Sequence, residues 1–351
     1  MLSSCSSSPL GAARTRRWFV KSALAALAAS RLGAATPPKK PLRLGRLTDS
    51  RTRIVSLDPK FDTLVSNSAS IFRLQTGSIW SEGPTWDRVS QKLIWSDIPN
   101  NRQLSWNEHI ALAGSFREPS NQTNGSCFDA DNRLICCEQI GRRVMRYQAN
   151  GTNGEILADK WQGKPLNSPN DVVVHPDGGI WFTDPGYGNK GRLELKEAVY
   201  RIDPRTKKVD RLDHSLGKPN GLCFSPDFKR MYIADTGPDR PRPLYVFDVV
   251  DGKKLANRRK FADVTYNGMD AGPDGQQVDK DGNLWASASH GVDGVSGVHV
   301  FDPSGKRLGM ILLPERCANV CFGGSKENLL FMTATTSLYA IDVLTKAAHA
   351  S

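Results

Sequence analysis

Six short apolar runs recur along the chain and match one another position by position: Leu93-Ile-Trp-Ser-Asp97, Leu134-Ile-Cys-Cys-Glu138, Ile180-Trp-Phe-Thr-Asp184, Met231-Tyr-Ile-Ala-Asp235, Leu284-Trp-Ala-Ser-Ala288 and Leu330-Phe-Met-Thr-Ala334. Each follows a polar turn such as Pro176-Asp-Gly178 or Lys280-Asp-Gly-Asn283, where Gly and Asn tolerate the positive φ of a tight hairpin. A third run with strand-like alternation comes next in most of them: Gln103-Leu-Ser-Trp106, Val144-Met-Arg-Tyr147, Val199-Tyr-Arg-Ile202, Leu244-Tyr-Val-Phe247, Val298-His-Val-Phe301 and Leu338-Tyr-Ala-Ile341. No long helical period competes. Repeats of short strands spaced by about 40 to 54 residues are the pattern of propeller blades. The pattern predicts an all-β, six-bladed propeller, each blade a four-stranded antiparallel meander.

The last repeat runs out at the C-terminal end, whereas Arg53 to Thr76 holds two strand-like runs, Ile54-Val-Ser-Leu57 and Ile71-Phe-Arg-Leu74, with no repeat of their own. This N-terminal segment is expected to complete the sixth blade and close the ring, giving one domain over residues 51–347.

Charge changes the picture only at the start of the chain. The formal net charge is +11, but nine of the 47 basic residues and none of the 36 acidic ones fall in residues 1–46, leaving the rest near neutrality at +2. A nucleic-acid partner therefore loses its electrostatic support. The basic start contains Thr15-Arg-Arg-Trp-Phe-Val-Lys21, which resembles a twin-arginine export signal, followed by the apolar stretch Ser22 to Ala29 and the small residues Gly33-Ala-Ala35. Such a stretch is too short to span a bilayer. The expectation is a signal peptide over residues 1–35, a linker over 36–50, and export to the periplasm or beyond. The seven cysteines show neither zinc-ligand spacing nor a disulfide framework, and most are expected as buried strand residues.

Counting back fourteen or fifteen residues from the end of each aligned run lands on Glu82, Asn124, Asn170, Asn220, Asp274 and Asn319, every one with a side-chain oxygen. Equivalent positions at the start of the innermost strands would converge on the propeller axis. Carboxylates and amide oxygens without His or Cys are hard donors, suited to Ca²⁺ and poorly suited to Zn²⁺. Such an oxygen-rich site discriminates by size and ligand number, so Mg²⁺, Mn²⁺ or Zn²⁺ are open as substitutes in vitro.

At these residues the sequence resembles the senescence-marker/gluconolactonase/luciferin-regenerating family of calcium-dependent six-bladed propellers. The likeness is carried by Glu82-Gly-Pro84, Leu166-Asn-Ser-Pro-Asn-Asp171, Trp181-Phe-Thr-Asp-Pro185, Pro219-Asn-Gly221 and Pro273-Asp-Gly275, and covers roughly residues 65–345. The resemblance implies that Glu82, Asn170, Asn220 and Asp274 bind the metal, that Asp274 doubles as general acid/base, and that the substrate is a small lactone of the glucono-1,5-lactone type. Asn124, Arg142, His290 and Asn319 are candidate substrate contacts. Where some members of the family carry Arg two residues before the equivalent of Asn170, this chain has Ser168, a departure from the family's pattern at that corner.

Taken singly, Asn220-Gly221 and Asp274-Gly275 read as turn dipeptides. Asp177, Asp227 and Asp281 read as turn residues, and Asp97, Asp184 and Asp235 as acceptors for backbone amides between blades. No G-x-S-x-G elbow or triad-like histidine pattern supports a serine nucleophile. Hydrolysis of other esters or phosphotriesters, noncatalytic binding of sugar acids, and a strictosidine-synthase-like condensation stay open as alternatives.

Overall fold

The computed structural model describes residues 49–189, 191 and 193–349. The expected signal peptide and nearly all of the expected linker lie outside the described residues. No helix among those described is long and apolar enough to cross a membrane.

The chain forms the six blades that the repeats predict, each an antiparallel sheet running outward from the axis. The innermost strands are Ser81–Asp87, Thr123–Phe128, Val172–Val174, Pro219–Phe224, Pro273–Val278 and Cys317–Gly323. The six repeated runs supply the second strands, and the alternating runs supply the third. The repeated runs read as continuous apolar segments because both faces are covered by neighbouring blades; Ile180–Asp184 and Leu284–Ala288 are buried at every position. The turns before them work as anticipated: Gly178 and Gly282 adopt φ of 81° and 83°. Asp177 accepts the Gly179 amide at 2.7 Å and Asp227 the Lys229 amide at 3.1 Å. In the third turn, Asp279 rather than Asp281 accepts the backbone amides, those of Asp281 and Asn283, while Asp281 meets only Lys280.

Ring closure differs from expectation in one respect. Ile71–Thr76 pairs with Ser337–Asp342 and becomes the outermost strand of the sixth blade, joining the two ends of the chain. The earlier run, Arg53–Ser56, instead pairs with Arg307–Leu312 and makes the fifth blade five-stranded. A short helix, Pro59–Asp62, separates the two strands and drives the fully buried Phe61 between the blades. A Cβ on Gly309 would lie 2.5 Å from that ring, so this strand position has room only for glycine.

Aromatic side chains cement adjacent blades. Trp86 of the first blade stacks on Phe331 of the sixth with centroids 5.6 Å apart, and Trp181 meets Phe224, as Trp285 meets Phe322, edge to face at 5.4 Å. Such pairs contribute about 0.5–1.5 kcal/mol each beyond the area they bury. The six cysteines among the described residues are all buried and none forms a disulfide there, as expected of strand hydrophobes.

Candidate active site

Each of the six positions picked out by the repeat stands at or just before the start of an innermost strand, and each is under a tenth exposed. Five of these strands carry a register shift at that point, between Glu82 and Thr85, Thr123 and Ser126, Pro219 and Leu222, Pro273 and Gln276, and Cys317 and Asn319. A bulge sets two residues against one on the partner strand and turns a side chain out of the regular pleat, here at one end of all these strands. The Asn-Gly and Asp-Gly pairs are thus strand residues and not turn dipeptides.

Their glycines serve close approach. A Cβ on Gly221 would come 2.3 Å from the Asp274 carbonyl, and one on Gly275 would come 1.9 Å from the Asn319 side chain. Contacts continue around the ring, because Gly125 donates its amide to the Asn170 carbonyl at 2.7 Å and Asn319 donates Nδ2 to Glu82 Oε2 at 3.2 Å.

The electrostatics of this ring are unfavourable without a counter-charge. Burial raises the Glu82 pKa well above the usual carboxylate range; Asp274 adds to the rise, and the Gly83 amide at 2.8 Å only partly offsets it. Asp274 is pushed up to about 7, first by burial, with hydrogen bonds from Ser289 and Asn220 pulling the other way. Asp171, next to Asn170, lines the channel below and is pushed up to about 6 by burial, although it accepts the Val172 amide at 3.0 Å. No Lys or Arg contributes to any of these three shifts. Buried charges are ordinarily paired or coordinate a metal. Among the described residues no three His, Cys, Asp or Glu side chains are grouped to hold a metal. A cation here would therefore rely on two carboxylates and amide oxygens, a hard donor set that fits Ca²⁺.

Three aspartates that end their strands hold the approach to this ring. Asp97 accepts the amides of Ile79 at 3.0 Å and Trp80 at 3.5 Å. Asp184 accepts those of Asn167 and Ser168, both at 2.7 Å, and Asp235 those of Gly217 and Lys218 at 2.8 and 2.7 Å. They do bond backbone amides, but of the segment entering their own blade and not across blades. In each case the clamped pair lies two and three residues before Glu82, Asn170 or Asn220, so the clamp sets the start of the strand on which that side chain stands. Asp184 is pushed up to about 7 because burial outweighs its two amide bonds. The fifth blade ends its second strand on Ala288 and uses another device, Asp270 accepting the Gly272 amide at 3.1 Å two residues before Asp274.

Of the other candidates, Asn124 and Asn319 sit in the ring itself. Arg142 donates Nε to the Leu166 carbonyl at 2.5 Å and lies 3.8 Å from Glu194, which commits its side chain to the segment leading to Asn170. His290 stands on the rim beside Ser289; its Nδ1 is 3.3 Å from the Asp270 carbonyl and 3.4 Å from Arg242, and burial lowers its pKa. Sequence reasoning assigned no role to Asp171, Ser289 or Tyr187. Asp171 follows directly on a predicted ring residue, and the Tyr187 hydroxyl lies within hydrogen-bond reach of Asn220.

Known proteins share both sequence and fold with this chain. A gluconolactonase of Zymomonas mobilis is 29% identical over 316 residues, covering 82% of this chain and 85% of that protein. A solved gluconolactonase structure from Xanthomonas campestris is 34% identical with a TM-score of 0.75, covering 83% of this chain and 94% of the other. The calcium-binding regucalcin of Agrobacterium tumefaciens, at 19% identity and a TM-score of 0.66 over 78% and 94% of the two chains, shares the fold. The sequence profile of the SMP-30/Gluconolactonase/LRE-like region matches residues 80–336. The chain belongs to the SMP-30/gluconolactonase/LRE-like family.

Proposed function

We propose that this protein is a lactonase that opens sugar lactones of the glucono-1,5-lactone type to aldonic acids at the ring around Glu82 and Asp274, with calcium bound there. The carrying observation is the pair of buried carboxylates, each held above its ordinary pKa, within a circle of amide oxygens and without a basic partner. The gluconolactonase relatives supply the substrate class.

Glu82, Asn170, Asn220 and Asp274 would hold the cation. Bound there, a divalent cation supplies Lewis acidity that polarises the lactone carbonyl and stabilises negative charge developing on its oxygen. Burial gives the chain's own residues their part, since removal from bulk solvent raises the proton affinity of Asp274, while a bound cation lowers it again. Asp274 takes a proton from the attacking water as the new C–O bond forms. It returns that proton to the ring oxygen as the ring C–O bond breaks, so the carboxyl group ends as it began. Ser289 and Asn220, which act to lower the Asp274 pKa, are the side chains placed to orient the carboxyl through that cycle.

The test is acid release from glucono-1,5-lactone by the full chain with calcium and again after chelation. Calcium-dependent release above the spontaneous rate is expected; none from a folded, calcium-bound protein would overturn the assignment. The twin-arginine-like start extends the proposal to an exported enzyme, checked by fractionating cells with and without the Arg16-Arg17 pair.

A further inference from the structure

Tyr187 is 44% exposed, an unusual state for a large aromatic side chain, yet it is held from several directions. Its hydroxyl bonds the Thr236 hydroxyl, and Thr236 in turn donates to the Lys218 carbonyl at 3.0 Å. The Lys218 ammonium lies 4.4 Å from the centre of the tyrosine ring and 3.7 Å from Glu197, which accepts the Gly186 amide at 2.7 Å. Two loops and the segment clamped by Asp235 thus meet at one phenol.

The hydrogen-bond chain has a direction. Because Thr236 spends its proton on the Lys218 carbonyl, Tyr187 donates to Thr236, and the phenol oxygen keeps its capacity to accept, with the Asn220 side chain within reach. The phenol also lies close enough to Asp274 to feel its charge. An accessible aromatic ring, fixed in place beside a buried carboxylate and a ring of polar groups, is the apolar element such a site otherwise lacks.

We propose that Tyr187 determines specificity by providing the wall against which the ring of a sugar lactone is seated, with Lys218 and Thr236 as the positioning residues that hold it. One side of a lactone ring presents C–H groups carrying partial positive charge, which suit the electron-rich face or edge of a phenol. This rests on the lactonase reading above. It narrows the preferred substrates to cyclic lactones bearing ring C–H faces.

The experiment compares the full-length wild type with Tyr187→Phe and Tyr187→Ala, all at saturating calcium, with glucono-1,5-lactone as substrate and gluconate titrated calorimetrically as product. Tyr187→Phe keeps the ring and loses the hydroxyl, so it reports the contacts of the hydroxyl with Thr236 and Asn220 apart from the ring, and guards against a misfolded alanine variant. Expected is a KM at least about tenfold higher for Tyr187→Ala, with a parallel loss of gluconate affinity, and a KM within about threefold of wild type for Tyr187→Phe. Equal KM values in all three proteins overturn the proposal, and so does an equal rise in both variants, which would place the effect on the hydroxyl and its partners instead of the ring. A wild type that opens no lactone overturns the functional reading itself, an outcome distinct from either.

Discussion

The six innermost strands have two unlike ends. At the mouth they begin beside Glu82, Asn124, Asn170, Asn220, Asp274 and Asn319, buried and polar, bulged out of register and crowded against one another through their backbones. A few residues further along the same strands stand Phe128, Val174, Phe224, Val278 and Val320, lining a channel cavity of about 100 Å³ that runs from Asp171 and Asn319 below the ring to Ala347 and His349. There the C-terminal segment crosses the fold, Lys346 accepting the Lys280 amide at 2.9 Å and Ala348 donating to the Val278 carbonyl at 3.0 Å. His349 stacks on Phe228 with centroids 3.9 Å apart. One end gathers unneutralised carboxylates, while further along apolar side chains stand among uncharged polar ones such as Gln276 and Gln277. The difference separates the chemistry of the protein from its stability along a single set of strands.

The sharpest way to break this comparison is to disarm the mouth. Asp274→Asn should reduce lactone turnover by about 10³-fold, within the range for loss of a general acid/base, while leaving the circular dichroism spectrum unchanged. Substantial residual activity would remove Asp274 from the mechanism. At the far end Phe224→Ala, which empties a buried site, should cost about 3–5 kcal/mol in denaturant unfolding, while the folded fraction keeps its KM. A changed KM with unchanged stability would reverse the roles of the two ends.

Smaller effects sharpen the picture. Asp184→Asn replaces one of two amide acceptors by a donor two to three residues before Asn170, and should weaken calcium binding by about 10–100-fold in calorimetric titration without touching a ligand. Unchanged affinity would show that the strand start is fixed by other contacts.

The smallest expected effect is a pH dependence confined to the mouth. Without a cation, Glu82, Asp171 and Asp274 hold protons in the folded protein at pH values where the unfolded chain has lost them, in the window from about 4 to about 7. The folded state then binds more protons than the unfolded one, so stability falls as pH rises through that window. Calcium replaces those protons. Its effect on Tm should therefore be larger, by a few degrees, at about pH 7.5 than at about pH 5. Equal calcium shifts at both pH values, measured by scanning calorimetry, would mean that these carboxyls are not where the cation acts.

How much of this was legible beforehand depends on the kind of contact involved. Leu93 to Asp97 and its five counterparts announce blades because burial between neighbouring sheets demands apolar runs of strand length, a local requirement repeated six times. The polar ring was legible for the same reason, since equal spacing from equal strands places Glu82 through Asn319 at equal heights. The assignment of Arg53–Ser56 to the fifth blade was not, because a strand can pair with any free edge, and which edge it meets depends on where the Pro59–Asp62 helix carries the chain. Nor was the reach of Asp97, Asp184 and Asp235. Their side chains satisfy amides 16 to 18 residues earlier in sequence, brought beside them by the hairpin between the first two strands of a blade.

The order of strands within each repeat, the number of blades and the oxygen-rich composition of the ring were thus determined by the sequence itself, through periodic burial and the repetition of one unit. Tertiary structure alone decided the rest. It brought Tyr187 and Thr236 from separate loops onto Lys218, just before Asn220, set Asp171 beneath the ring, and raised the proton affinity of Glu82 and Asp274. The physical reason is that hydrophobic period is a property of neighbours along the chain, whereas desolvation and hydrogen-bond direction belong to groups that become neighbours only when the ring closes.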